Sequence, residues 1–147
     1  MTTIATDGAT LAGDGLLCMG EGKVRISLNY TKVHRAGESV FGFAGDPSAC
    51  ERFRAWMNGN RDEAFRTSAN FAAIILENGA VFVVEGDGYF SAVEAPFAIG
   101  SGASFAMGAM AAGADAETAV KIASRFDTIT GGSIVAATAN KSDAGRA

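Results

Sequence analysis

The first residue that could do chemistry stands at the start of the chain. The sequence begins Met-Thr-Thr-Ile, so removal of Met1 would leave Thr2 with a free α-amine beside its own hydroxyl. An α-amine has a pKa of roughly 7.7–8.0, so near neutral pH it can accept the proton of a hydroxyl nucleophile. Thr2 would then supply both the nucleophile and the general base of a hydrolase. Taken alone this signal is weak, because many ordinary proteins begin Met-Thr.

Other catalytic patterns find no support in the sequence. Ser101 lies between two glycines but lacks the Gly-x-Ser-x-Gly pattern of a nucleophile elbow, and we expect the single histidine, His34, to do no chemistry. The glycine clusters match neither the dinucleotide-binding pattern nor the Walker pattern. Cys18 and Cys50 lack the spacing of metal ligands, so we interpret both as reduced thiols, with Cys50 in the core.

Composition limits the class of protein further. The 147 residues are 48% hydrophobic, enough for one globular domain that spans residues 1–147. A net charge of -4 argues against a nucleic-acid surface. The sequence has neither an apolar run of about 18 residues nor a secretory leader. We therefore expect a cytoplasmic protein without nucleic-acid or membrane partners.

The elements that must position Thr2 can be predicted from hydrophobic patterns and turn residues. Asp7-Gly8 is a strong hairpin turn, and Asp46-Pro47 and Asp115 are typical helix starts. Strands are predicted at Thr2–Thr6, Thr10–Ala12, Val24–Leu28, Ser39–Phe43, Phe71–Leu76, Ala80–Glu85, Tyr89–Val93 and Ser133–Thr138, and helices at Asp46–Asn58, Ala103–Ala112 and Ala116–Phe126. This order predicts an α+β domain with two facing sheets, helices outside them, and a polar tail over Asn140–Ala147.

A set of short motifs resembles the proteasome-like threonine peptidases of the HslV type. The motifs follow the family order, in patches from Thr2 to about Gly132: Thr2-Thr3-Ile4, Ala12-Gly13-Asp14-Gly15, Lys32-Val33-His34-Arg35, Gly42-Phe43-Ala44-Gly45, Ala98-Ile99-Gly100-Ser101-Gly102 and Asp127-Thr128-Ile129-Thr130-Gly131-Gly132. The resemblance implies the four-layer αββα sandwich of the N-terminal-nucleophile hydrolases. It also implies a threonine-type endopeptidase.

The resemblance assigns catalytic roles to five residues. Thr2 corresponds to the nucleophile, and Lys32 to a buried lysine whose ammonium favours an alkoxide-like oxygen and lowers the pKa of the amine. Asp14 corresponds to the acidic partner of that lysine, although an aspartate between two glycines also suits a turn. Ser101 and Asp127 correspond to groups that support the amine; without the resemblance, Ser101 would be a helix N-cap.

Further roles follow from the same likeness. Ala44 and Gly45 would bind the substrate backbone and an oxyanion through their amides. Backbone oxygens of Ser124, Asp127 and Thr130 would hold a structural sodium ion, a cofactor that hydrolysis itself does not require.

Assembly and two rival functions complete the expectations. The resemblance implies a homo-oligomeric ring, with stacked rings and an ATP-dependent unfoldase that delivers unfolded proteins. This chain has only a short segment at Arg61–Ser68 where the family carries two long helices, which bears on ring size and docking. The alternatives are a small-amide hydrolase of the same fold and a catalytically silent assembly module that retains Met1.

Overall fold

The computed structural model describes residues 2–139, and the strands within that range fall into three sheets. Eleven strands are found in this part of the chain, and their bounds are β1 Ile4–Thr6, β2 Thr10–Gly13, β3 Leu17–Met19, β4 Val24–Ser27, β5 Val33–Ala36, β6 Ser39–Gly45, β7 Phe71–Glu77, β8 Ala80–Glu85, β9 Ser91–Val93, β10 Phe97–Ile99 and β11 Val135–Thr138. The strand orders are β10-β1-β2-β11, β5-β6-β7-β8-β9 and β3-β4. Every pairing is antiparallel.

Three helices flank the two larger sheets. They are α1 Pro47–Met57, α2 Ala103–Ala111 and α3 Ala116–Phe126. Asp46 caps α1 by accepting a hydrogen bond from the amide of Ala49, and Asp115 caps α3 by accepting one from Thr118. Helix α2 begins after Gly102 without a side-chain cap.

The space between the two larger sheets is filled by aliphatic side chains. Ile4 and Leu11 come from the four-stranded sheet, and Val40, Ile74 and Leu76 come from the five-stranded sheet. Successive strand residues point to opposite faces, so Ile4 faces this inner layer whereas Ala5 faces the helices. The alternation therefore builds two sheets that pack face to face.

The outer faces of the sheets pack against helices in two different ways. Under α1 lies an aromatic cluster that includes Phe41, Phe43, Phe53 and Phe65. Under α2 and α3 the cluster is made mostly of alanines, which lets these helices lie close to the four-stranded sheet. The resulting order is helix, sheet, sheet, helices, which confirms the predicted α+β sandwich of four layers.

The predicted elements need several corrections. Strands β3, β5 and β10, each three or four residues long, were not predicted, and the first strand begins at Ile4 rather than Thr2. The N-cap of α2 is Gly102, so Ser101 is not a helix cap. Residues 58–70 contain no helix or strand. Met1 and the tail predicted over Asn140–Ala147 lie outside the described residues.

Membrane-spanning segments were sought among the described residues. Within residues 2–139, no helix has the length and apolar character needed to cross a bilayer.

Candidate active site

The extended start of the chain directs two consecutive threonines to opposite sides. Thr2 lies on the same side as Ile4 and contacts Lys32, whereas Thr3 lies on the helix side and contacts Thr130. Both threonines are buried, with exposed fractions of 1% and 0%. The strand therefore places one hydroxyl in each of two hydrogen-bond networks.

The first network joins Thr2 to the ammonium of Lys32. Lys32 Nζ donates to Thr2 Oγ1, to Asp14 Oδ1 at 2.8 Å and to the carbonyl of Leu16 at 2.8 Å. An ammonium has three hydrogens, so these three bonds use its whole donor capacity. Lys32 is therefore fixed in one orientation, with its charge against the Thr2 hydroxyl.

Asp14 supplies the charge that lets a lysine be buried here. Its Oδ1 accepts from Thr2 Oγ1 at 2.8 Å and from the amide of Thr3 at 3.2 Å, and its Oδ2 accepts from the amide of Gly131 at 2.9 Å. Burial lowers the pKa of Lys32 below its ordinary value, and the charge and hydrogen bond of Asp14 oppose that shift. The salt bridge is thus both desolvated and fully hydrogen-bonded.

The second network begins at the nitrogen of Thr2. This nitrogen donates to Ser101 Oγ at 3.1 Å, and Ser101 Oγ donates to Asp127 Oδ2 at 2.6 Å. Asp127 Oδ2 also accepts from Thr130 Oγ1 at 2.5 Å. Burial raises the pKa of Asp127, but the hydrogen bonds from Ser101 and Thr130 outweigh it, so the net shift is downward and favours the carboxylate.

A cleft of about 490 Å³ opens beside Thr2. Thr2, Lys32, Ala44 and Gly45 line it together with apolar side chains: Leu16, Leu17, Phe43, Pro47, Ala69 and Ile129. Gly45 has a φ of +120°, and a Cβ at this position would overlap the carbonyl oxygen of Asn70. A side chain at residue 45 is therefore excluded on steric grounds, which leaves the backbone at the end of β6 accessible from the cleft.

The structure brings most of the predicted site residues together. Thr2, Asp14, Lys32, Ser101 and Asp127 form the two connected networks described above, and Ala44 and Gly45 line the adjacent cleft. Thr130 joins the network through Asp127.

Ser124 lies near the end of α3, and the role predicted for its backbone oxygen at a sodium ion stays a prediction. Its hydroxyl donates to the carbonyl of Lys121 within its own helix, at 2.7 Å. The carbonyl of Asp127 accepts from the amide of Thr130 at 3.3 Å. No group of three or more His, Cys, Asp or Glu side chains able to hold a metal ion occurs among residues 2–139.

Three other side chains discussed in the sequence analysis, His34, Cys50 and Cys18, lie outside the two hydrogen-bond networks. His34 packs against Phe41 and Phe43, with ring centroids 5.7 and 5.4 Å apart, and its Nε2 lies 3.1 Å from the carbonyl of Thr31. Cys50 is buried, as predicted, and burial raises the pKa of its thiol to about 12. Cys18 is half-buried and lines the cleft together with Cys50.

Three groups that form hydrogen bonds in the site were not predicted from the sequence. They are the hydroxyl of Thr3, the carbonyl of Leu16 and the amide of Gly131. The two backbone groups leave no trace in residue type, because any residue carries them. The position of the Thr3 hydroxyl could have been predicted from the sequence. In an extended chain, consecutive side chains point to opposite faces, so Thr3 must face away from Thr2.

Comparison with known proteins gives matches at the level of structure. The chain is similar to eukaryotic HslV from Trypanosoma brucei, with a TM-score of 0.69 and 22% identity over 93% of this chain and 97% of that chain. It is also similar to Thiobacillus denitrificans BPH, both in complex with epoxomicin and without it, with TM-scores of 0.67 and 0.65. Each BPH match has 19% identity and covers 93% of this chain and 96% of that one.

Comparison of the sequence itself gives no match. No protein-family profile matches the chain, and no curated protein does. The structural likeness establishes the fold alone: a four-layer sandwich like that of HslV and BPH.

Proposed function

We propose that this protein is a threonine-type endopeptidase that uses Thr2 as its nucleophile after removal of Met1. The arrangement around Thr2 carries the proposal: its hydroxyl contacts the buried Lys32–Asp14 pair, and its nitrogen donates to Ser101. A buried ion pair is costly to place around an ordinary first residue. Both networks converge on the two atoms that an N-terminal nucleophile needs.

The reaction proceeds in two steps at the Thr2 hydroxyl. In the first, Oγ1 forms a bond to the carbonyl carbon of the scissile peptide while its proton passes to the α-amine. The amine then gives that proton to the leaving nitrogen as the carbon–nitrogen bond breaks, which leaves an acyl ester on Thr2. In the second step water, deprotonated by the same amine, attacks the ester and releases the acid product and the threonine.

Two neighbouring groups can stabilise the negative charge that develops during the reaction. Lys32 stabilises negative charge on Oγ1, because its ammonium already contacts that atom. The backbone at Ala44 and Gly45 borders the same cleft as Thr2 and is the candidate binding surface for the substrate chain and the carbonyl oxygen.

The assembly and its partners belong to the same proposal. The chain forms a homo-oligomeric ring that encloses the Thr2 sites, and an ATP-dependent unfoldase in the cytoplasm delivers unfolded proteins to it. Backbone oxygens of Ser124, Asp127 and Thr130 hold a sodium ion near the site. The likeness to HslV supports self-association, because a threonine peptidase with little intrinsic specificity must be enclosed.

The proposal is tested on the purified protein by intact mass and by peptide hydrolysis. We expect the mature chain to lack Met1 and to cleave fluorogenic peptides, and Thr2→Ala to abolish cleavage without loss of folding. Thr10→Ala is the matched control, because that hydroxyl lies at the other end of the sheet beside Thr138.

Epoxomicin provides a second measurement, because it is the ligand in one of the BPH structures. We expect one equivalent to bind covalently to the wild-type chain and none to bind to Thr2→Ala. Retention of Met1 in all molecules would contradict the mechanism and favour the silent module. Hydrolysis of small amides by a monomer, without cleavage of peptides, would favour the small-amide hydrolase.

A further inference from the structure

The hydroxyl of Thr3 is buried beside the proposed site. Thr3 has no exposed surface, and its Oγ1 lies 2.8 Å from Oγ1 of Thr130. A Cβ at Gly102 would overlap this oxygen, so residue 102 must be glycine for the hydroxyl to fit. The amide of the same threonine donates to Asp14 at 3.2 Å. Thr3 therefore contacts the Lys32–Asp14 pair through its backbone and the Asp127 network through its side chain.

The direction of each hydrogen bond in this network follows from counting hydrogens. A hydroxyl has only one hydrogen, and Thr130 donates its hydrogen to Asp127 Oδ2 at 2.5 Å. Thr130 must then accept from Thr3. Ser101 likewise donates to Asp127 at 2.6 Å, in preference to the carbonyl of Thr2 at 3.4 Å, so its oxygen is left to accept from the nitrogen of Thr2.

The network is therefore a directed chain with one charge in its middle. Thr3 donates to Thr130, Thr130 donates to Asp127, Ser101 donates to Asp127, and the Thr2 nitrogen donates to Ser101. Hydrogen bonds in such chains strengthen one another, because each donor is polarised by the one behind it.

We propose that Thr3 is a positioning residue for the Thr2 amine. Through Thr130, Asp127 and Ser101, its hydroxyl fixes the direction in which the amine donates, and so aims the amine lone pair at the Thr2 hydroxyl. This role rests on the proposed function of Thr2.

Loss of the Thr3 hydroxyl should change the pKa of the amine in a predictable direction. Without the donor behind it, Thr130 binds Asp127 less strongly, and more negative charge remains on the carboxylate that faces Ser101. This charge favours the protonated amine, so the pKa of the amine rises. Lys32 and Asp14, the charged groups on the hydroxyl side of Thr2, are unchanged by the substitution.

The experiment compares Thr3→Val and Thr3→Ser in the processed protein. The pKa of the Thr2 amine is measured from the pH dependence of its acylation by acetic anhydride, a readout that does not require peptidase activity. We expect Thr3→Val to raise this pKa by about 0.5 unit, to move the acid limb of kcat/KM equally, and to lower the rate at pH 7 by about threefold. Thr3→Ser should restore wild-type values, because it retains the hydroxyl.

Thr6→Val is the matched control. Thr6 is also a buried threonine near the start of the chain, and its hydroxyl donates to the carbonyl of Thr10 at 2.8 Å, away from the amine. We expect it to lower stability without changing the pKa of the amine. If Thr3→Val does not fold, Thr130→Val and Thr130→Ser make the same comparison one bond closer to Asp127.

Two results would overturn the role of Thr3. One is an unchanged amine pKa in Thr3→Val, and the other is a Thr3→Ser variant as impaired as Thr3→Val, which would show that the methyl group matters rather than the hydroxyl. Failure of the proposed function is a separate result, since it would show as a wild-type protein that cleaves no peptide.

Discussion

At the scale of single residues, the site combines one charged pair and one charged carboxylate around Thr2. Lys32 and Asp14 are 4% and 2% exposed, and each hydrogen of the ammonium has an acceptor. Asp127 is anionic because Ser101 and Thr130 donate to it. The hydroxyl of Thr2 therefore lies beside the Lys32 ammonium. Its nitrogen is linked to the Asp127 carboxylate by two successive hydrogen bonds, through Ser101.

Lys32→Ala should both destabilise the protein and remove most of its activity. The substitution leaves the Asp14 carboxylate buried without its cation, a change that typically costs about 3–5 kcal/mol. We expect a corresponding loss in the free energy of unfolding, measured by urea denaturation, and loss of most peptide hydrolysis under conditions where the variant is folded.

Lys121→Ala provides the matched control for Lys32→Ala. Lys121 forms a surface pair with Glu117 at 3.4 Å, and both side chains are at least half exposed. Its loss should change stability by less than about 0.5 kcal/mol. Equal effects of the two substitutions would show that the buried pair is not important for the fold.

At the scale of secondary-structure elements, residues 58–70 connect α1 to β7 without forming a helix or a strand. Arg61 lies over the rings of Trp56 and Phe90, at 5.4 and 5.9 Å from their centroids, and forms a salt bridge with Glu77 at 2.8 Å. The indole of Trp56 donates to the carbonyl of Glu63 at 2.6 Å. These contacts attach residues 58–70 to the outer face of the five-stranded sheet.

Arg61→Ala should therefore destabilise the protein by about 1–3 kcal/mol, because it removes the cation–π contacts and a partly buried salt bridge together. Arg54→Ala is the control, since Arg54 forms an exposed pair with Glu51 at 3.4 Å and should cost less than about 1 kcal/mol. The measurement is thermal or urea unfolding. A variant at residue 61 that is as stable as the control would show that the segment is held by other contacts.

At the scale of the whole molecule, most of the exposed large apolar side chains within residues 2–139 lie in two regions. The α2–α3 surface carries Phe105, Met107 and Phe126, which are 43%, 38% and 59% exposed. The β3–β4 hairpin exposes Met19, Val24, Ile26 and Leu28. Exposed apolar patches of this kind often form protein interfaces. For the proposed ring, the sequence pattern at Ala103–Ala112 favours the α2–α3 surface as the contact between subunits.

Substitution of the stacked pair Phe105 and Phe126 tests this assignment. The two rings lie 5.6 Å apart on the exposed side of α2 and α3. We expect the double variant Phe105→Glu and Phe126→Glu to shift the native mass from an oligomer to the monomer, because charges would be buried in the contact. Met19→Glu with Ile26→Glu should leave assembly intact. The reverse result would place the contact on the β3–β4 hairpin.

Much of the architecture follows from the sequence by itself. Asp46-Pro47 and Asp115 fixed the starts of two helices, because an acceptor side chain satisfies free amides there. The Asp7-Gly8 turn and the apolar runs at Phe71–Leu76 and Ala80–Glu85 predicted hairpins that the structure contains. These patterns depend only on neighbouring residues, so they can be recognised without knowledge of the rest of the chain.

The predicted site residues were brought together only by tertiary structure. Thr2, Lys32 and Asp127 are far apart in the sequence. Residue type singled out Thr2, whereas the likeness to a family singled out Lys32 and Asp127. Their contacts depend on how β1 lies between the sheet core and the helices. The roles of Leu16 and Gly131 could not be predicted, because backbone groups are the same in every residue.

The sequence by itself determined which residue could be a nucleophile and which segments would be strands or helices, since both depend on residue type and local pattern. Tertiary structure decided that the hydroxyl of Thr2 contacts a buried lysine, and that Thr3 is linked through Thr130 to Asp127. The physical reason is that hydrogen bonds and burial act over a few ångströms in space, whereas the partners are separated by many residues along the chain.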